Sequence, residues 1–261
     1  MASATSKKVY NNDEDHAGDL IIGAYFFAMR SCEFSSVREG GRTVMIRLGG
    51  IRFFSQDFRV IPQDHPDLLE LAVYVWVLFE DQKNRLKRDS RTQKKTRDPL
   101  LCPVLRLGRA VQRVRRFVKG VDEHTPLCAF HKKKRSNKFI TQDFCLKFIR
   151  KICRTYGGID HFGFHESEIG NRSIRSGAAM ALFLNDHSTD KIMMLGRWKS
   201  KAFLDYIRPQ VVQWTRLFSR DMISFNNFFE LCSTIDTRGG RRETEIQQNR
   251  GHFDMPHTML F

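Results

Sequence analysis

The stretch Leu71-Ala-Val-Tyr-Val-Trp-Val-Leu-Phe-Glu80 decides the fold class, because it predicts the strand on which a sheet is built. It is rich in β-branched and aromatic residues and apolar on both faces, which suits a central strand or one covered by helices. Two strand-like runs precede it at 43–48 and 51–60, and Gly49-Gly50 between them is typical of a hairpin turn. Residues 83–97 follow with eight cations and one acid, which predicts a solvated loop or the tip of a hairpin.

Helical patterns lie on both sides of this predicted sheet. Residues 18–37 are predicted to form a buried helix that ends before Gly40 and Gly41. A second helix is predicted at 104–118, with an apolar face made of Val104, Leu107, Val111, Val114 and Val118. A third has Thr141 as its N-cap, ends at Gly157-Gly158, and has a core face made of Phe144, Phe148, Ile152 and Cys153. A helical cluster is predicted at 173–184, 188–195, 202–207 and 211–229.

The order of these elements predicts an α+β fold that is mainly helical and contains a small antiparallel sheet. We expect a disordered N-terminal tail at 1–17, one domain at 18–230, and a mobile C-terminal tail at 231–261 that is rich in Gly, Arg, Gln and Glu.

The composition points to a polyanionic partner. The chain has 44 Lys and Arg residues against 29 acids, a net charge of +15, and a pI near 9.8. A folded domain with this charge favours DNA or RNA, and double-stranded DNA is the expected partner. A membrane surface is the weaker alternative, because no basic amphipathic helix with exposed aromatics stands out. No run of eighteen apolar residues and no apolar signal core is seen, so an intracellular protein without a membrane segment is expected.

The six cysteines occur without a CxxC pair, and in an intracellular chain we expect them to be reduced and mostly in the core. Cys128 and His131 have a CxxH spacing that allows a zinc site, but no second ligand pair has matching spacing. The sequence therefore predicts neither a metal nor a cofactor.

Three motifs carry the functional signal. They are Ala28-Met-Arg30-Ser-Cys-Glu33, Ser173-Ile-Arg175-Ser-Gly-Ala-Ala, and Leu195-Gly-Arg-Trp198-Lys-Ser-Lys-Ala-Phe-Leu-Asp-Tyr206-Ile-Arg-Pro. With Gln82-Lys-Asn84 and Leu101-Cys-Pro-Val104, they occur in the order found in tyrosine recombinases, the phage-type integrases. The chain resembles the catalytic domain of this family over about residues 19–225, and is most similar to the Crypton-like recombinases of eukaryotic mobile elements.

The chemistry that this resemblance implies needs no metal. A tyrosine hydroxyl holds the DNA 3′ phosphate covalently, two arginines clamp the charge of the transition state, and a lysine protonates the departing 5′ oxygen. The implied residues are Tyr206 as nucleophile, Arg30 and Arg175 as clamp, Lys83 as general acid and Trp198 as a hydrogen-bond donor. Reciprocal strand exchange also implies self-association on DNA.

Each assignment has a simpler structural alternative. Arg30 is alternatively a core-edge arginine paired with Glu33, and Lys83 one cation among eight on a solvated loop. Arg175 is alternatively a surface arginine. Trp198 and Tyr206 are alternatively aromatic residues that only pack in the core.

Two departures from the family pattern favour a catalytically impaired remnant that only binds DNA. The family usually has His three residues before the second arginine, and Arg172 stands there, which stays protonated and cannot shuttle a proton. About 18 residues precede the first motif helix, so we expect a fragment, a truncated gene or a degenerate copy that lacks the N-terminal core-binding domain. An RNA-binding role is a third alternative, but the chain lacks an RNP-like aromatic strand and a GxxG loop.

Phosphate contacts are expected from two basic runs. Their residues are Arg85, Lys87, Arg88, Lys94 and Lys95 in the first run, and Lys132, Lys133, Lys134 and Arg135 in the second. Both runs are alternatively solvated charge clusters. The second run is also a weak nuclear-import motif, which makes a nuclear location the expectation.

Overall fold

The computed structural model describes residues 9–37, 43–81, 87–131, 138–200 and 204. All of them lie in the first of two compact units, Met1–Ile207. The helices are α1 Asp13–Phe26, α2 Ser31–Phe34, α3 Leu68–Leu71, α4 Pro103–Phe117, α5 Gln142–Thr155, α6 Gly158–Phe162, α7 Ser173–Leu184 and α8 Thr189–Gly196. The strands are β1 Ile51–Phe54, β2 Val60–Ile61, β3 Tyr74–Asp81, β4 Lys87–Lys94, β5 Ala129–Phe130 and β6 Lys138–Phe139. The α+β class, with helix dominant and a small antiparallel sheet, is confirmed.

The main sheet has the strand order β2-β1-β3-β4, and every pair is antiparallel. β3 is an inner strand, as the sequence predicts, and its Val75, Val77 and Phe79 are buried on one face. β4 is the hairpin partner of β3, so residues 87–94 of the basic stretch form one arm of a hairpin. The predicted hairpin tip lies outside the described residues.

The two predicted strands before β3 are wrong in detail. Residues 43–48 form no strand, because the backbone N–H of Ile46 and Leu48 bond instead to Glu33 and Thr125. Leu48–Gly50 is a 3-10 turn and not the hairpin turn that Gly49-Gly50 predicts. The predicted strand at 51–60 is two strands, β1 and β2, joined by a turn in which Phe58 has a φ of 57°.

The first helix differs from its prediction at both ends. It begins at Asp13, inside the predicted tail, because the Asn12 side chain accepts from the backbone N–H of Glu14. It ends at Phe26 and not near Val37. The Phe26 carbonyl accepts from the Gln93 side chain at 2.8 Å, and Ala28 takes a positive φ of 45° that turns the chain toward α2.

A buried ionic network joins α1 to α4. Arg113 donates to Asp19 at 2.9 Å and to Nδ1 of His16 at 3.2 Å, and Arg106 donates to Asp19 at 3.1 Å. Because arginine only donates, His16 accepts at Nδ1, and its Nε2–H donates to the Leu127 carbonyl at 2.9 Å. Burial, reinforced by the Arg113 charge, lowers the pKa of His16 to about 3, so this imidazole is neutral. Burial raises the pKa of Asp19, while Arg113 and Arg106 oppose that shift.

The predicted helices from residue 104 to residue 196 are present, but α6, which begins at Gly158, was not predicted. The apolar face predicted for 104–118 is buried along its length on α4. Thr141 caps α5 as predicted, but Ile152 is 40 % exposed and does not belong to the core. α7 has its predicted bounds, and α8 begins after its Ser188 cap. The predicted helices at 202–207 and 211–229 and the predicted tail at 231–261 lie outside the residues described.

Five cysteines can be placed, and they carry free thiols. All but Cys32 are buried, as expected. Burial raises the pKa of Cys128 and of Cys145 to about 12 each, which makes both thiols poor nucleophiles at neutral pH. Within the described ranges, no group of three or more His, Cys, Asp and Glu residues could hold a metal ion. No helix in the part of the chain that the structure describes is both long and apolar enough to cross a membrane.

Candidate functional site

Arg30 lies in the turn between α1 and α2, so the prediction that places it inside the first helix is wrong. It is the N-cap residue of α2, and Glu33 closes the cap from within the helix. The Arg30 backbone N–H donates to Glu33 Oε2 at 2.8 Å, and Arg30 Nη1 donates to Glu33 Oε1 at 3.0 Å. The Arg30 side chain is 16 % exposed and Glu33 is 1 % exposed. This reciprocal pairing fixes the direction of the Arg30 guanidinium.

Glu33 has a second partner in Arg197, which is fully buried. Arg197 Nη2 donates to Glu33 Oε2 at 2.6 Å, and Nη1 donates to the Phe27 carbonyl at 3.3 Å. Its guanidinium carbon lies 3.5 Å from the centroid of the Phe79 ring, so β3 covers it from the sheet side. Burial lowers the pKa of Arg197 to about 10 and the Glu33 carboxylate opposes that shift, so the guanidinium is charged at neutral pH.

Arg175 contacts, from α7, the turn Gly196–Trp198 that contains Arg197. It is 6 % exposed, and its Nη2 donates to the Gly196 carbonyl at the C-terminal end of α8. Its guanidinium carbon lies 4.3 Å from the Trp198 ring centroid, a cation–π contact. A Cβ at Gly196 would overlap the Trp198 ring, so only glycine allows the ring to lie there. The left-handed φ of Arg197, 60°, reverses the chain between these two residues.

β4 supplies a third arginine to the end of α8. Arg91 Nε donates to the Met194 carbonyl at 2.8 Å, and Arg91 Nη1 pairs with Asp89. The last carbonyls of a helix have no partner within the helix and carry partial negative charge, so Arg91 and Arg175 both stabilise this end. The turn Gly196–Trp198 is therefore held by α2, by α7 and by the hairpin arm.

The resulting arginine cluster consists of Arg30, Arg91, Arg175 and Arg197, with Glu33 and Asp89 as its carboxylates. The arginines outnumber the acids in a largely buried environment, where charge interactions are stronger than in water. Such a cluster attracts an anion, and arginine suits the planar, bidentate recognition of phosphate. In this structure Arg175 is engaged by the Gly196 carbonyl and Trp198, so a phosphate would reach it only if this turn moved.

The sequence-predicted catalytic residues that the structure describes fall around this cluster. Arg30 is joined to Trp198 through Glu33 and Arg197, and Arg175 contacts Trp198 directly. Arg172 is the N-cap residue of α7, and its side chain is exposed one turn before Arg175. Lys83 and Tyr206 lie outside the described residues, and their roles stay predictions. Trp198 is half-buried and lies against the Arg175 guanidinium, and its role as a hydrogen-bond donor stays a prediction.

The predicted phosphate-binding residues of the hairpin arm have different environments. Arg88 and Lys94 are exposed, and the Lys94 ammonium lies 5.7 Å from the Tyr74 ring centroid. The Lys95 ammonium instead donates to the Leu69 carbonyl at 2.9 Å and the Glu70 carbonyl at 3.3 Å, at the end of α3. Lys95 thus has a structural role that the basic run did not reveal. The Lys87 backbone pairs with Asp81 in the sheet. Arg85, Lys132, Lys133, Lys134 and Arg135 lie outside the described residues.

Sequence reasoning missed Arg197 and Arg91. Arg197 sits between Gly196 and Trp198 in a motif that was read for its tryptophan, and its burial was not expected of an arginine. Helices commonly end with a glycine in the left-handed conformation, so the sequence would place Gly196 there, whereas Arg197 takes that conformation in the structure. Arg91 lies among eight cations, and only the strand alternation distinguishes its inward position from the outward one of its neighbour Thr92.

Comparison of the chain with protein-family models, with curated proteins and with solved structures finds no match in any of the three. The resemblance to tyrosine recombinases thus rests on the motifs of the sequence alone.

Proposed function

We propose that this chain is the catalytic domain of a tyrosine recombinase, which cuts and rejoins double-stranded DNA through a 3′-phosphotyrosyl link at Tyr206. The observation that supports it best is the assembly around Gly196–Trp198. Two motif arginines that are 145 positions apart in the sequence, Arg30 and Arg175, are tied to one turn. The chain runs from this turn to Tyr206, eight residues after Trp198.

The network around the arginines fits the demands of this chemistry. Clamping a pentavalent phosphate needs positive groups held in place before the charge develops. Glu33 orients Arg30 through two hydrogen bonds, and Arg197 holds Glu33 from the other side. In the proposal, binding of the scissile phosphate replaces the Gly196 carbonyl as the partner of Arg175, and the freed turn brings Tyr206 to the phosphorus. Lys83 protonates the 5′ oxygen that leaves.

Proton removal from Tyr206 is the weak step of the proposed mechanism. Arg172 occupies the position where the family has histidine, and a guanidinium stays protonated at neutral pH. The expected result is DNA binding with slow cleavage. Arg172→His should raise the rate of covalent complex formation at neutral pH, because a neutral imidazole accepts the phenol proton. An unchanged rate would remove Arg172 from the proton path.

The proposal is tested with a suicide duplex that carries a nick next to the cleavage site, so that the cut strand diffuses away and the covalent complex accumulates. The full chain should form an adduct that survives SDS. Tyr206→Phe should form none and bind the intact duplex as wild type does. Arg175→Lys should bind the duplex with similar affinity but cut it at least about 100-fold more slowly, because lysine cannot replace bidentate contacts in the transition state. An adduct that persists in Tyr206→Phe would contradict the proposal.

The second candidate function is DNA binding without cleavage, by a remnant of a mobile element. The exposed Arg172 and the engaged, 6 % exposed Arg175 favour it. In that case no variant forms an adduct, while duplex binding stays strongly dependent on salt. Self-association on DNA and a nuclear location belong to both candidates as proposals.

A further inference from the structure

The sheet has an outer face that the cleavage chemistry does not use. The face opposite the buried Phe53, Val75 and Val77 carries two rows of cross-strand neighbours. The first row contains Val60, Phe54, Tyr74 and Lys94. The second row contains Arg52, Trp76 and Thr92. Aromatic rings and cations therefore lie side by side on one surface, which we call the outer face.

Each row has its own cation–aromatic pair. The Arg52 guanidinium lies 5.4 Å from the Trp76 ring centroid, and the Lys94 ammonium lies 5.7 Å from the Tyr74 ring centroid. Both cations are exposed and both rings are half-buried. A half-buried ring beside a cation keeps an accessible π surface while its position is fixed by the sheet, which is the arrangement that stacks a flat, anionic ligand.

Phe58 extends this surface from the turn between β1 and β2. Its ring stacks on Tyr74 with centroids 4.6 Å apart and an interplanar angle of 14°, yet the residue is 65 % exposed. Its φ of 57° lies in the left-handed region, which is strained for a bulky side chain and natural for glycine. Stacking on Tyr74 holds one side of the Phe58 ring in place, and the other side stays open to solvent, where it can contact a ligand.

The charged residues around the outer face favour an anionic ligand. Arg52, Arg59 and Lys94 are exposed on or next to the outer face. Of the acids nearby, Glu80 pairs with Arg47 at 3.6 Å, and Asp57 lies in the turn. A surface that combines rings with excess positive charge fits a polymer that has both phosphates and exposed base faces. In duplex DNA the base faces are hidden by stacking, whereas in a single strand they are open.

We propose that the outer face binds a single nucleic-acid strand, with unpaired bases stacked on Trp76 and on the exposed side of Phe58, which Tyr74 supports from below, and with phosphates on Arg52 and Lys94. The site is separate from the arginine cluster, since the outer face is opposite to the side on which Phe79 covers Arg197. Binding at this site involves no bond making and does not depend on Tyr206.

The test measures the affinity of the full chain by fluorescence anisotropy for three probes of about 16 nucleotides, the upper end of the site sizes found on such platforms. The probes are oligo-dT, an abasic strand with the same phosphates, and a duplex. Phe58→Gly should weaken oligo-dT binding roughly 5- to 100-fold, because stacking on one ring is worth that factor per base. Its binding to the abasic strand and the duplex should change less than about 2-fold, because these ligands offer no free base face.

Folding failure does not confuse this result, because the relief of the positive φ by glycine offsets the loss of the Phe58–Tyr74 stacking, and the urea midpoint of the variant should stay close to that of wild type. Tyr156→Ala is the matched control: it removes a ring that is 68 % exposed at the end of α5, and should leave oligo-dT binding unchanged. Arg52→Ala should weaken oligo-dT binding more than Lys147→Ala, an exposed cation on α5.

Wild-type protein that binds oligo-dT and the abasic strand equally would overturn the proposal, as would an equal loss on all three probes in Phe58→Gly. Tyr206→Phe should keep full oligo-dT binding. If no covalent adduct forms but the loss of oligo-dT binding in Phe58→Gly is observed, the cleavage function is refuted and the strand-binding surface is not. If the adduct forms but Phe58→Gly binds oligo-dT as wild type does, only the strand-binding surface is refuted.

Discussion

Replacing Glu33 by glutamine should be among the most damaging conservative substitutions in the chain. The Glu33 carboxylate accepts hydrogen bonds from the Arg30 backbone N–H, from Arg30 Nη1 and from Arg197 Nη2. Glutamine has the same shape but one acceptor oxygen, so its NH₂ group would face a guanidinium. Because Arg197 is fully buried, water cannot screen its uncompensated charge. Breaking a buried pair in this way costs about 3–5 kcal/mol of the free energy of unfolding.

The assay is equilibrium urea unfolding of the full chain at neutral pH, followed by tryptophan fluorescence. Glu123→Gln is the matched control, because Glu123 pairs with Arg115 at 2.9 Å but is 64 % exposed, and its loss should cost less than about 1 kcal/mol. Glu33→Gln with Arg197→Met should recover much of the loss, because removing both buried charges is often close to neutral. A loss below about 1 kcal/mol in Glu33→Gln, or no recovery in the double variant, would refute the buried network as the element that orients Arg30.

Three further predictions follow from single contacts. His16 is neutral in the folded protein and has an ordinary pKa near 6.5 in the unfolded chain, so its contribution to the free energy of unfolding is complete above pH 6.5 and is lost as the pH falls toward 3. In urea unfolding, wild type should therefore lose about 2 kcal/mol more than His16→Gln between pH 7 and pH 5. Parallel pH profiles of the two proteins would exclude this role. Gly196→Ala should displace the Trp198 ring, lowering stability by about 1–3 kcal/mol and shifting tryptophan fluorescence, whereas an unchanged spectrum would contradict the described packing. Lys95→Met should cost about 1 kcal/mol and leave duplex affinity within about 2-fold, while a large loss of affinity would restore Lys95 to the DNA-binding residues.

The helices that the sequence predicted well are those whose pattern is local. α4 carries its own apolar periodicity, and α5 carries its own cap at Thr141. The end of α1 was missed because its cause is remote: Gln93, 67 residues away, takes the Phe26 carbonyl. Residues 43–48 have the composition of a strand but do not join the sheet, because the backbone N–H groups of Ile46 and Leu48 donate to the carbonyls of Glu33 and Thr125.

The candidate site was predicted in part for the same reason. The motif pattern identified Arg30 and Arg175, but no local signal shows that Glu33 and Arg197 connect them, since a buried arginine looks like any other cation in a sequence. The outer face was not predicted because the β3 sequence is apolar on both faces, so it does not show which residues point outward. Only the register with β1 and β4 brings Arg52 and Lys94 next to Trp76 and Tyr74.

The central claim concerns the atom that becomes attached to DNA. The covalent complex from the nicked duplex is digested with protease, and the nucleotide-linked peptide is identified by mass spectrometry. The account predicts one modified peptide, in which the 3′ phosphate is esterified to the phenolic oxygen of Tyr206. Attachment to any other residue, or no attachment under conditions in which the duplex is bound, would contradict it.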